Sequence, residues 1–133
     1  MQTPDASPNP FPRPLLAPFA GLALITGLAY LLGSPDRTRP ASFAIAKMVA
    51  SMHVWGIAFL IGAGALATVI ALDHKYAIVT ALFVGGLLYT WWGLSFGIAA
   101  LNDPRASANA WATYMFIGFT HYLAAWRIAV WRR

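Results

Sequence analysis

Long apolar runs separated by short polar knots set the pattern of this chain. A helix needs about 20 apolar residues to cross the hydrocarbon core of a bilayer. Four stretches match that length scale, at about 15–33, 53–72, 76–101 and 110–131. None alternates polar with apolar at period two, so strands are excluded. Lipid offers no partner for a free N–H or C=O, so each stretch predicts a helix. The expected fold is all-α: an integral membrane four-helix bundle over 15–133, behind a disordered Pro-rich tail over 1–14.

The polar knots carry helix punctuation. "GSPDRTRP", from Gly33 to Pro40, holds a glycine stop, two prolines suited to first helical turns and two arginines. "DHK", from Asp73 to Lys75, reads as a tight hairpin in which His74 needs no further role. In "LNDPRAS", Asp103 reads as an N-cap and Pro104 as the first helical residue, so the fourth helix is expected to begin near Pro104. From Pro40 to Leu72 the helical pattern would reach roughly 50 Å, longer than a membrane needs. Residues 41–52, with Lys47, are therefore read as a helical lead at the interface, bent against the membrane surface. The span proper starts near His53, with Trp55 in the aromatic belt. A cleaved signal peptide over 1–33 is the rival for the first stretch. It wants a basic lead and a short apolar core, whereas this lead is Pro-rich with Arg13 as its one base.

Composition fits this picture. Of 133 residues 59% are hydrophobic and 10% charged, against about 25% charged in a soluble domain. So little charge cannot coat a water-facing surface. A net charge of +5 is compatible with nucleic-acid binding, but the bases are scattered singly or in pairs, and flanking positions facing lipid headgroups explain them. There is no cysteine, hence no disulfide and no thiolate chemistry. Arg13, Lys75, Arg127, Arg132 and Arg133 fall on one side, and Arg37, Arg39, Lys47 and Arg105 on the other. That margin, with the "WRIAVWRR" ending, predicts a bacterial inner (cytoplasmic) membrane with both termini in the cytoplasm.

Three histidines raise the question of ligands. His53 and His121 on neighbouring helices could hold a b-type haem by its two axial positions, with Lys47 or Arg105 for the propionates. Hairpin registers put His53 level with Ser95 and His121 level with Tyr89, an offset of roughly 9 Å along a helix. An interfacial His53 with no ligand is the better reading. His121 lies near mid-membrane in "FTHYLAAW", where an ionisable group wants a partner. Tyr89 and Thr90 are level with it. The plainer alternative is a neutral histidine hydrogen-bonded between two helices. No carboxylate sits inside a span, which argues against an ion-coupled transporter acting alone. No nucleophile–base set, metal spacing or phosphate loop is present, so no enzymatic activity, metal or cofactor is expected, haem b at His53 and His121 being the alternative.

Small residues four apart offer packing strips: Ala17 with Gly21, Ala23 with Gly27, Ala58 with Gly62, Gly64 with Thr68, and Gly93 with Gly97, beside the Gly85–Gly86 pair. Such strips serve packing within the chain, self-association, or contact with other membrane subunits. In overall profile the chain resembles the short polytopic membrane proteins of actinobacterial phages, including holin-like lysis proteins. Four spans, the "SPDRTRP" and "NDPRAS" loops, Ala/Arg-rich usage and the basic "WRR" end carry the resemblance. It implies an oligomer that permeabilises the bilayer by lateral association, and it carries no particular residue over. Two other functions stay open. One is a non-catalytic accessory subunit of a larger membrane complex, with Trp91 and Trp92 as contact surface. The other is a haem- or quinone-binding redox subunit resting on His53 and His121.

Overall fold

The computed structural model describes residues 13–34 and 40–130. The Pro-rich tail up to position 12, the loop bearing Asp36, Arg37 and Arg39, and the terminal Trp131, Arg132 and Arg133 lie outside the described residues. Within them the chain is all-helical and has no strand. Five α-helices follow one another: α1 (Ala17–Leu32), α2 (Ala44–Val49), α3 (Met52–Leu72), α4 (Lys75–Asn102) and α5 (Ala108–Val130). Single 3-10 turns, Arg13–Leu15 and Ala41–Phe43, precede α1 and α2. Two helices, α3 and α4, are long and apolar enough to cross a membrane. The apolar α1 has 16 residues, or about 24 Å of helix.

The boundaries follow local chemistry. Pro18 sits in the first turn of α1, where its missing N–H leaves no bond unmade. At Ala50 and Ser51 the backbone turns extended, and Ser51 Oγ accepts from Val54 N at 3.4 Å as the N-cap of α3. The expected lead over 41–52 is thus a separate short helix. One face of it packs inward. Ala46 and Ser42 are buried, and the Trp55 indole N–H donates to Ala46 O at 3.0 Å, folding α2 back over the start of α3. The 73–75 hairpin closes through Asp73 in the left-handed region (φ 52°), while His74 Nδ1 accepts from Ala77 N at 3.4 Å and caps α4. His74 therefore has a role that the sequence reading denied it.

Asp103 is a second correction. It ends α4 rather than starting α5, which begins at Ala108. Its carboxylate accepts from Arg105 N at 2.9 Å and pairs with the Arg105 guanidinium at 2.9 Å. An aspartate that can bond the backbone two residues on favours a turn as readily as a cap. The Arg105 guanidinium and amide hold that carboxyl below the usual carboxylate range. Ser107 N then donates to the buried Ser42 Oγ at 2.8 Å, tying this turn to the segment before α2.

The helices pack as two tight pairs, α1 with α3 and α4 with α5. Glycine sets the spacing in both. A Cβ on Gly56 would stand 2.8 Å from Leu31 N and 3.0 Å from Gly27 O, so α1 and α3 touch backbone to backbone. In the other pair the side chains of α5 fill the glycine notches of α4: Tyr122 over Gly86, Met115 over Gly93, Trp111 over Gly97. The strips at Gly85, Gly86, Gly93 and Gly97 thus serve packing within the chain. Rings join the two pairs. Tyr30 stacks on Trp92 at 4.9 Å and Phe59 meets Tyr89 at 5.2 Å, while within the α4–α5 pair Phe96 stacks on Tyr114 at 5.1 Å. One hydroxyl of Tyr30 and Tyr114 donates to the other at 2.6 Å, linking α1 to α5. Trp92, offered by the sequence as a partner contact, is 0% exposed at the centre of this cluster; Trp91, at 42%, faces outward.

Candidate functional site

The ring cluster occupies one half of the bundle, and its end creates the site. Phe59 and Tyr89 act as a spacer between α3 and α4. Toward the 73–75 hairpin the facing residues shrink to Gly62 and Ala65 on α3 and Ala77, Ala81 and Gly85 on α4. Helices held apart by rings and faced with side chains too short to meet leave a gap. The result is a cleft of about 600 Å³ between α3 and α4, open along one side. Its far walls are apolar, formed by Leu66, Val69, Val84 and Leu88, and Thr80 stands at its margin.

Across the cleft floor lie Phe19 and Ala23 of α1 and His121 of α5. His121 is 1% exposed. Phe19 meets its ring edge-on at 4.6 Å, and the Tyr89 ring lies 5.1 Å away. Its Nδ1–H donates to Ile117 O at 2.9 Å, one turn back on the same helix. Thr120 Oγ1 donates to that same carbonyl at 2.7 Å. The histidine thus bonds its own helix and makes no hydrogen bond across two helices. In the uncharged ring whose proton sits on Nδ1, Nε2 is an acceptor. That nitrogen has no hydrogen-bond partner among the described residues. It lies on the Gly85 side of the ring, 3.2 Å from where a Cβ on that residue would stand.

The remaining sequence-predicted positions divide. Thr90 does not reach His121; its hydroxyl pairs with that of Tyr122 at 3.2 Å. The Tyr89 hydroxyl faces Thr26 on α1 without forming a well-aligned hydrogen bond. His53 is exposed in the first turn of α3, and the α3 residue that reaches the Tyr89 level is Phe59, six positions further on. The structure thus does not bring His53 and His121 together as an axial pair. No group of three metal-binding side chains occurs among the described residues. The helices' other hydroxyls mostly bond their own helix: Thr68 to Gly64 O at 2.8 Å, Ser95 to Trp91 O at 2.9 Å, Thr113 to Asn109 O at 3.0 Å.

Sequence reasoning missed three features here. Gly56 makes the α1–α3 crossing against Gly27, and of the two only Gly27, four residues after Ala23, lies in a small-residue strip that the sequence marks. Gly118 packs on Gly86 O and Thr90, completing the α4–α5 crossing. Phe19 seals one side of His121 from a helix remote in sequence. Small residues recurring on α1 and α3 were the only available signal for the first, and nothing local signalled the last. The chain matches no protein-family model, no curated protein and no solved structure.

Proposed function

We propose that the chain is a four-span integral protein of a bacterial inner membrane, both termini cytoplasmic, that acts by lateral self-association and does no chemistry of its own. Among the described residues every charged side chain lies in a turn, at a helix end or in α2. Between the ends, the outward faces carry Ile25 and Leu28 on α1, Ile57 and Ile61 on α3, Phe83, Leu87 and Leu94 on α4, and Phe116, Phe119 and Leu123 on α5. Such a belt on all four long helices suits hydrocarbon and not water. The 16-residue α1 reaches across with help from the turn before it and from local thinning or tilt of its neighbours.

One observation carries the self-association. The glycines of α4 and α5 are filled by neighbours within the chain, but Gly64 on α3 has nothing within 4 Å of where a Cβ would stand. With the exposed Ala67, Thr68 and Ala71 it forms a near-flat strip, turned away from both α1 and the cleft. In lipid, where burial from water no longer drives helices together, close backbone approach along such a strip does. Pairing of copies through this strip is the step a holin-like protein needs before its assembly opens the bilayer. The closed, ring-filled core gives a single copy no aqueous path, so permeabilisation would belong to the oligomer. The same strip suits a helix of another subunit, which is the accessory-subunit reading.

Expression with a membrane-potential dye, combined with oxidative cross-linking of Thr68→Cys in a chain that has no other cysteine, tests this. Self-association predicts a cross-linked dimer that Gly64→Leu abolishes, and a delayed, abrupt depolarisation lost in the same variant. A dimer without depolarisation supports a membrane scaffold instead of a holin-like protein. Absence of the cross-link contradicts the proposal.

A further inference from the structure

We propose that the cleft between α3 and α4 binds a neutral, lipid-soluble phenol or quinol with an apolar tail, its hydroxyl donating to His121 Nε2. This rests on the membrane-embedded reading, because the open side of the cleft must face lipid. The chemistry of the floor selects the head group. Nδ1–H is committed to Ile117 O, so Nε2 offers an acceptor, and what satisfies it is a donor. An acceptor that faces an apolar cleft and finds no water there gains from a matching O–H. A cationic donor is disfavoured, since no carboxylate lines the cleft.

Shape selects the rest. The rings of Phe19 and Tyr89 flank the imidazole and Phe59 lines the same cleft against Tyr89, which suits a flat ring better than a flexible chain. A volume of about 600 Å³ falls within the range of small-molecule sites. The long side between Ile61 and Gly62 on α3 and Val84 on α4 opens outward and lets an alkyl or isoprenoid tail leave the cleft. Two glycines keep the path clear. A side chain at Gly85 would crowd Nε2, and at Gly62, on the facing wall, the Cβ position is empty. A lipid acyl chain would fill the same space but would leave Nε2 unpaired, and this is the alternative occupant that the test separates.

The full chain in phosphatidylcholine nanodiscs is titrated anaerobically with a decyl-substituted benzoquinol and with the matching quinone, which lacks the O–H. Empty discs correct for partitioning. The readouts are the dissociation constant and the ¹⁵N resonance of His121 Nε2. The quinol is expected to bind about tenfold tighter than the quinone, the worth of one hydrogen bond, and to move the Nε2 resonance. His121→Phe should erase that preference. Gly62→Phe, which fills the cleft from a position with free space, should weaken both ligands at least tenfold without altering thermal stability. Equal affinity for quinol and quinone in the parent chain, no saturable binding above empty discs, or unchanged affinity in Gly62→Phe each overturns the site. A chain that stays in the discs but shows any of these results loses the site and keeps the membrane reading.

Discussion

Replacing Gly56 by alanine adds one methyl group where α1 and α3 cross. Its Cβ would meet Leu31 N at 2.8 Å, Gly27 O at 3.0 Å and Leu31 Cα at 3.2 Å, all backbone atoms of a helix that cannot rotate aside. Ordinary contact lies at about 3.5–4.0 Å, so the helices must part by roughly 0.5–1 Å, which forfeits a quarter to a half of the dispersion across the crossing. At about 0.1–0.2 kcal/mol per atom pair and some tens of pairs, the loss is roughly 1–3 kcal/mol, the usual cost of overpacking. Alanine's better helix propensity returns up to about 1 kcal/mol. The net expectation is a loss of about 1–2 kcal/mol. Gly62→Ala is the control: the space there is empty, so it should be neutral or stabilising by up to about 1 kcal/mol. Reversible unfolding in mixed micelles, followed by the fluorescence of the core tryptophans Trp55 and Trp92, measures both. If Gly56→Ala matches the parent, or if Gly62→Ala costs as much as Gly56→Ala, glycine does not set the spacing of this pair.

Tyr30→Phe and Tyr114→Phe should each cost about 1–2 kcal/mol by orphaning a buried hydroxyl, and the double variant clearly less than the sum; additive losses in a double-mutant cycle would mean the 2.6 Å bond is not made. Ser42→Ala should speed hydrogen exchange at the Ser107 amide, with a stability loss of about 1 kcal/mol read in the same unfolding assay. The Asp103 carboxyl is depressed by Arg105, so its contribution to the 103–107 turn is present above the ordinary carboxylate pKa and is lost as pH falls through its own lower value. The order of this turn, followed by backbone NMR shifts, should hold from neutral pH down through about pH 4 and fade only below that, whereas Asp103→Asn should show the loosened turn at every pH.

The helical character of the chain and the hairpin at 73–75 were legible because apolar run length and turn residues act locally. The register across the turn between α4 and α5 put position 121 level with 89, and the two rings lie 5.1 Å apart. What sequence did not reveal depends on which helices pair. Glycine spacing on α4 looks the same whether the notches face a partner chain or α5, and only the fold puts Tyr122, Met115 and Trp111 into them. Trp92 reads as an outward contact until Tyr30 and Phe43, from distant segments, close over it. Asp103 has the same local signature as a helix cap and as a turn, and Arg105 decides between them. The cleft was out of reach, because a void is made by what neighbouring rings hold apart.

Single cysteines in this cysteine-free chain test the central claim most directly. His74→Cys, Ala106→Cys, Gln2→Cys and Phe116→Cys are each probed with a membrane-impermeant thiol reagent from one face of intact and then opened vesicles. Four crossings require positions 2 and 74 to react from one face, position 106 from the other, and position 116 from neither. Labelling of positions 74 and 106 from the same face, or ready labelling at 116, would contradict a bundle embedded in lipid.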